Sequence, residues 1–173
     1  MNSQAGQNGE LNRDGTDNIW QASQIGSLAG VKYWHAQDPS TIHQKRASYL
    51  NRTPLHLSSL NGHLDIVKFL LAQGVEVDPE DYIKSTPLMK ASLNGHVDIV
   101  NALLDKGANL RLQDGFKNTP LHYAVDAIQL PVIKVLVARG ADTKILNKWK
   151  QTPLEYAKEL GGRSAIVEYL SSL

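Results

Sequence analysis

Histidine is the residue type here best suited to metal or acid–base chemistry, and its placing is regular. His56 and His122 each close a Thr-Pro-Leu-His run, and His63 and His96 each follow Asn-Gly. A zinc centre needs three or four ligands converging on one point. Cysteine is absent, and these histidines fall at corresponding positions along the chain rather than in a cluster. They are therefore read as structural. There is no Gly-rich phosphate loop ending in Gly-Lys-Ser/Thr and no Gly-x-Ser-x-Gly elbow. The expectation is a protein that is not an enzyme, with no catalytic residue, cofactor or metal. Two modification motifs stand out. Lys45-Arg46-Ala47-Ser48 is a short match for a kinase that reads basic residues, and phosphate on Ser48 would change the local charge. Asn51-Arg52-Thr53 has the form of a glycosylation sequon, but no secretion signal is visible and Thr53 has a structural role, so it is set aside.

What positions these residues is a repeat. Thr-Pro-Leu opens at Thr53, Thr86, Thr119 and Thr152, 33 residues apart each time. A fixed period in this range marks a stacked array. In the clearest copy, residues 53–74, Thr53 can cap a helix and Pro54 suits its first position, where a missing N–H is harmless. Leu55, Leu57 and Leu60 give an apolar face and Gly62 a stop. A second helix follows from about Leu64, with Leu64, Val67, Leu70 and Leu71 on one face, and Gly74 ends it. Helices this short are marginal alone and become stable by stacking on neighbours.

The Thr-Pro-Leu-His motif, the Asn-Gly-His turn and the period together resemble the ankyrin repeat family, over roughly residues 17–173. The resemblance implies an all-α solenoid of helix-turn-helix units with short β-hairpin connections, and histidines that bond within the turn. It implies binding rather than catalysis.

Five units are expected: a degenerate N-terminal cap (17–51), then 52–84, 85–117, 118–150, and a C-terminal cap (151–173). The first lacks the Thr-Pro-Leu start, and its Trp20 and Trp34 are assigned to packing. In the third, Met89 stands in the histidine slot beside Lys90. In the fourth, Ile128-Gln129 replaces Gly-His, and Pro131 is tolerable only in the first turn of the second helix. The fifth aligns with one extra residue near Leu160, and the pattern suggests a complete five-unit array. Residues 1–16 are polar and read as a disordered tail. A net charge of +1 gives no bulk attraction to nucleic acid or acidic membranes. No membrane-length apolar run occurs. A cytoplasmic protein is expected, with the nucleus as the alternative.

The informative positions are those the scaffold leaves free. At the hairpin tips the slot that favours a positive φ holds Asn51, Lys84, Lys117 and Lys150. The residue before it is Leu50, Ile83, Phe116 or Trp149, preceded in two units by Tyr49 and Tyr82. Such a ladder either contacts a partner, as aromatic anchors beside cations do, or braces the array. Charge along the fingers is mixed: the second carries Glu76, Asp78, Glu80 and Asp81 against Lys84, interrupting any basic track for nucleic acid. Asn61, Asn94 and Asp126, near the first-helix ends, are further contact candidates, with solvated turn residues as the competing reading. The function predicted is an adaptor or scaffold, monomeric by itself, that binds a partner protein through finger tips and the concave helix face. A stoichiometric regulator of an enzyme or transcription factor is the alternative, with nucleic-acid binding through Lys45, Arg46, Lys148 and Lys150 behind it.

Overall fold

The structure, a computed structural model, describes residues 15–161 and 164–173. Helices pair in chain order: α1 (Ile19–Ile25) with α2 (Leu28–Gln37), α3 (Pro54–Asn61) with α4 (Leu64–Ala72), α5 (Pro87–Leu93) with α6 (Val97–Asp105), α7 (Pro120–Asp126) with α8 (Leu130–Ala138), and α9 (Pro153–Glu159) with α10 (Ser164–Ser171). The first helices of successive pairs stack on one another from α1 to α9, and α2, α4, α6 and α8 form a second row behind them. The result is an all-α repeat solenoid with one continuous core between the rows. Leu55, Leu88 and Leu121 fill it from the first helices, and Ile66, Ile99 and Ile133 from the second.

The Thr-Pro start works as a two-way cap. Thr53, Thr86, Thr119 and Thr152 are extended N-cap residues, each with proline just inside the helix. Three residues on, a side chain returns to the cap's own backbone N–H: His56 Nδ1 at 3.2 Å, Met89 Sδ at 3.5 Å, His122 Nδ1 at 3.2 Å and Glu155 Oε2 at 2.7 Å. This is the reciprocal arrangement of a capping box. The far nitrogen of each histidine reaches the following unit, His56 Nε2 to the Ser85 carbonyl at 2.9 Å and His122 Nε2 to that of Gln151 at 3.1 Å. A carbonyl only accepts, so Nε2 carries the proton and Nδ1 accepts from the threonine. Burial holds His56 neutral, with its pKa down at about 4, and lowers His122 in the same way.

The other recurring histidines clamp neighbours too. His63 Nε2 lies 3.0 Å from the Gln24 carbonyl and His96 Nε2 3.1 Å from that of Leu60. Each ring lies over the mid-turn glycine of the preceding unit; a Cβ on Gly62 would fall 2.8 Å from the His96 imidazole. The described residues contain no group of three or more His, Asp or Glu placed to hold a metal ion. None of the described helices is long and apolar enough to cross a membrane.

The degenerate first unit has both its helices. Trp20 is buried and donates its indole N–H to the Arg52 carbonyl at 3.1 Å, whereas Trp34 is half-buried. Pro131 sits in the first turn of α8. The link from α9 to α10 is one residue longer than that from α7 to α8. Two expectations need correction. The connections are not β-hairpins: among the described residues the single strand-like pairing is the isolated bridge Arg46–Arg52, because each finger closes on itself within a few residues. Thr16 does not belong to a tail, for it is buried and accepts the Trp34 indole N–H at 3.4 Å. The tail assignment for 1–14 falls outside the described residues.

Candidate functional site

Each of the last three fingers is a tight turn organised by one side chain. Asp81 Oδ1 accepts the N–H groups of Ile83 (3.0 Å) and Ser85 (2.9 Å). Asp114 does the same for Phe116 (2.9 Å) and Asn118 (2.8 Å), and Asn147 for Trp149 (3.0 Å) and Gln151 (3.1 Å). The turn forces the next residue but two into the left-handed region: Lys84, Lys117 and Lys150 have φ of 62°, 59° and 61°. The tip lysines therefore carry the conformational strain that glycine would avoid.

Neighbouring fingers are joined through their backbones. The Leu50 carbonyl accepts the Tyr82 N–H at 3.0 Å, the Ile83 carbonyl that of Gly115 at 2.8 Å, and the Phe116 carbonyl that of Lys148 at 2.9 Å. These bonds set the tips in a row along one edge. The side chains beside them face water: Leu50 is 55% exposed, Tyr82 75%, Phe116 42% and Trp149 58%. Ile83 and Tyr49 are half-buried, and Tyr49 lies under the Arg46 guanidinium, 5.9 Å from its ring centroid. Phe116 and Trp149 stack in parallel, and Lys148 lies over the Phe116 ring. Asn51, Lys84, Lys117, Lys148 and Lys150 are exposed on the same edge.

Behind the tips runs a polar column that the sequence reading did not assign. Lys90, Tyr123 and Tyr156 form it from equivalent places on α5, α7 and α9, and apolar Leu57 fills that place on α3. Lys90 Nζ lies 2.9 Å from Asp81 Oδ2, and both side chains are almost wholly buried. Arg52 Nε approaches the same oxygen at 3.4 Å. Tyr123 donates its hydroxyl to Asp114 Oδ2 at 2.7 Å. Burial alone would raise the Asp81 pKa, but the Lys90 ammonium and the backbone N–H groups outweigh it and hold the carboxyl below its ordinary value. Burial lowers the Lys90 pKa against the pull of Asp81. Asp81 therefore does not contribute to the surface charge of the second finger, whose exposed acids are Glu76 and Glu80. The recurrence of Asp81, Asp114 and Asn147 at the repeat period was the available signal.

Asn61, Asn94 and Asp126 do not join the tips. They end the first helices at the opposite pole from the fingers. Asn61 and Asn94 turn their amides back to the carbonyls of Leu57 (2.8 Å) and Lys90 (2.9 Å), and Asp126 accepts the Tyr156 hydroxyl at 2.8 Å.

A family model for ankyrin repeats in three copies matches residues 19–114, and one for ankyrin repeats in many copies matches 103–157. The chain belongs to the ankyrin repeat family. Ankyrin repeats generally mediate protein–protein interaction, and such domains are typically non-catalytic. Among curated proteins the chain is similar to the serine/threonine-protein kinase VIK of Arabidopsis thaliana, at 40% identity over 63 residues. That similarity takes in 36% of this chain and 14% of the kinase, so the chain spans a small part of that relative's length.

Proposed function

We propose that this ankyrin repeat protein is an adaptor that holds a partner protein along its finger tips and the adjoining face of its first helices, working as a monomer in the cytoplasm. The observation that carries the reading is the row of Leu50, Tyr82, Phe116 and Trp149, exposed together on an edge that inter-finger backbone bonds keep in register. Large aromatic side chains with cations beside them are the usual anchors of protein interfaces. A prearranged row also lowers the entropy lost on binding. Lys84, Lys117, Lys148 and Lys150 on the same edge favour a partner segment with acidic residues among its apolar ones.

The test is affinity capture from native lysate with the wild type and with a variant carrying serine at Leu50, Tyr82, Phe116 and Trp149, its helicity checked by circular dichroism. A protein held by the wild type and released by the folded variant supports the reading. Equal capture by both refutes it. A protein that binds and also changes the turnover of an enzyme partner would be a regulator rather than an adaptor.

A further inference from the structure

The first finger is built differently from the others at one slot. Ser48 occupies the position held by Asp81, Asp114 and Asn147, one repeat period earlier. Those three side chains accept N–H groups two and four residues ahead. In the first finger the corresponding donors are Leu50 and Arg52, and they bond instead to the carbonyls of Ala47 and Tyr49, each at 3.0 Å. The loop closes wider, between Arg46 and Arg52, through a short 3₁₀ segment, Ala47–Tyr49. As a result two residues rather than one lie in the left-handed region, Leu50 and Asn51, both with φ of 57°. For leucine that conformation is strained. Ile83, Phe116 and Trp149, its counterparts, do not adopt it.

We propose that Ser48 is a phosphorylation site, and that its phosphate takes the place of the missing carboxylate and recloses the first finger in the form of the other three. Three observations meet at this residue. Ser48 is exposed. Lys45 and Arg46 precede it at the positions a basophilic kinase reads. The phosphate oxygens would accept from the Leu50 and Arg52 N–H groups in the acid slot, with Arg46 and Arg52 in the same loop to balance the charge. The step is phosphoryl transfer from ATP. The Ser48 Oγ forms a bond to the γ-phosphorus as the bond to the bridging oxygen breaks, ADP departs with that electron pair, and the hydroxyl proton passes to the kinase's base. Relief of the Leu50 strain favours the new turn. The Leu50 carbonyl, which ties this finger to Tyr82, would be re-aimed with it. The proposal concerns the finger itself and holds whatever the tips bind.

The test treats the full chain with Mg-ATP and the catalytic subunit of the cyclic-AMP-dependent protein kinase, and compares it with Ser48→Ala. The expected result is one phosphate, mapped to Ser48 by peptide mass spectrometry and absent from Ser48→Ala. With it comes slower hydrogen exchange of the Leu50 and Arg52 amides, by about tenfold, as charge-assisted bonds replace neutral ones. Ser48→Asp, which gives the first finger the residue of the second and third, should slow the same two amides. Absence of phosphate on Ser48 would overturn the proposal, as would phosphate on Ser48, or aspartate in its place, with exchange unchanged.

Discussion

The Trp149 indole lies parallel to the Phe116 ring, with centroids 6.2 Å apart and planes 6° from each other, yet more than half of Trp149 remains in contact with water. The pair is both a brace and an open surface. The two roles separate by magnitude. An aromatic pair is worth about 1 kcal/mol, whereas a binding anchor loses 2 kcal/mol or more on truncation. Trp149→Ala should therefore lower stability by about 1 kcal/mol in urea melts. It should weaken the captured partner by roughly thirtyfold or more in titration calorimetry. A large stability loss with affinity unchanged would leave only the brace.

Ile128 holds the mid-turn position that Gly62 and Gly95 hold in the two preceding units, with φ of 60° and its side chain 57% exposed. A β-branched residue in the left-handed region is a true outlier. Ile128→Gly should stabilise the protein by about 1 kcal/mol, since the relieved strain exceeds the extra chain entropy of glycine. A melting temperature that falls would contradict this.

Asp81 and Lys90 form a buried pair whose two slots are filled elsewhere in the same chain by uncharged residues, Asn147 and Leu57. Breaking such a pair from one side leaves an uncompensated charge and costs about 3–5 kcal/mol, whereas replacing both partners is often near neutral. Asp81→Asn alone should be strongly destabilising, and adding Lys90→Leu should recover most of the loss. A double-mutant cycle in denaturant measures the coupling. Asparagine keeps the two turn bonds, as Asn147 does, so additive losses would show that the ion pair itself contributes little.

His56 is kept neutral by burial, with a pKa of about 4 against an ordinary 6.5. The unfolded chain takes up this proton near 6.5 and the folded protein only near 4, so acid favours unfolding across that window. Stability is full above pH 6.5 and falls by about 1.4 kcal/mol per pH unit below it, to a total of roughly 3 kcal/mol. His122, shifted in the same direction, adds to the slope. The protonated ring would present a donor at Nδ1 to the Thr53 N–H, which it now accepts. Urea melts from pH 7.5 to 4.5 should show the slope, and His56→Gln should flatten it by one proton's worth.

The fold could be read from the sequence because its signals are local and repeated: the Thr-Pro caps, the glycine stops and the apolar faces of α3 to α8 each lie within one unit. The tip positions recur in step, as Leu50, Ile83, Phe116 and Trp149, but the period did not show that in the second finger Tyr82 rather than Ile83 is the side chain that faces water. The roles of Asp81 and Lys90 were not. An aspartate beside Glu80 on a finger reads as surface charge, and its burial follows from partners two, four and nine residues ahead that meet it when the finger folds onto the helix it precedes. The hairpin expectation failed because the fingers close too tightly to leave residues for strands.

On the proposed function, a partner sits on the finger-tip edge. The most direct measurement replaces Tyr82 or Trp149 with the photo-crosslinker benzoylphenylalanine and irradiates the protein in native lysate, with the same residue at exposed Lys68 on α4 as the comparison. Both tip positions should yield one discrete cross-linked protein, absent from Lys68 and competed away by unlabelled wild type. Cross-links that form from Lys68 and not from the tips would contradict it.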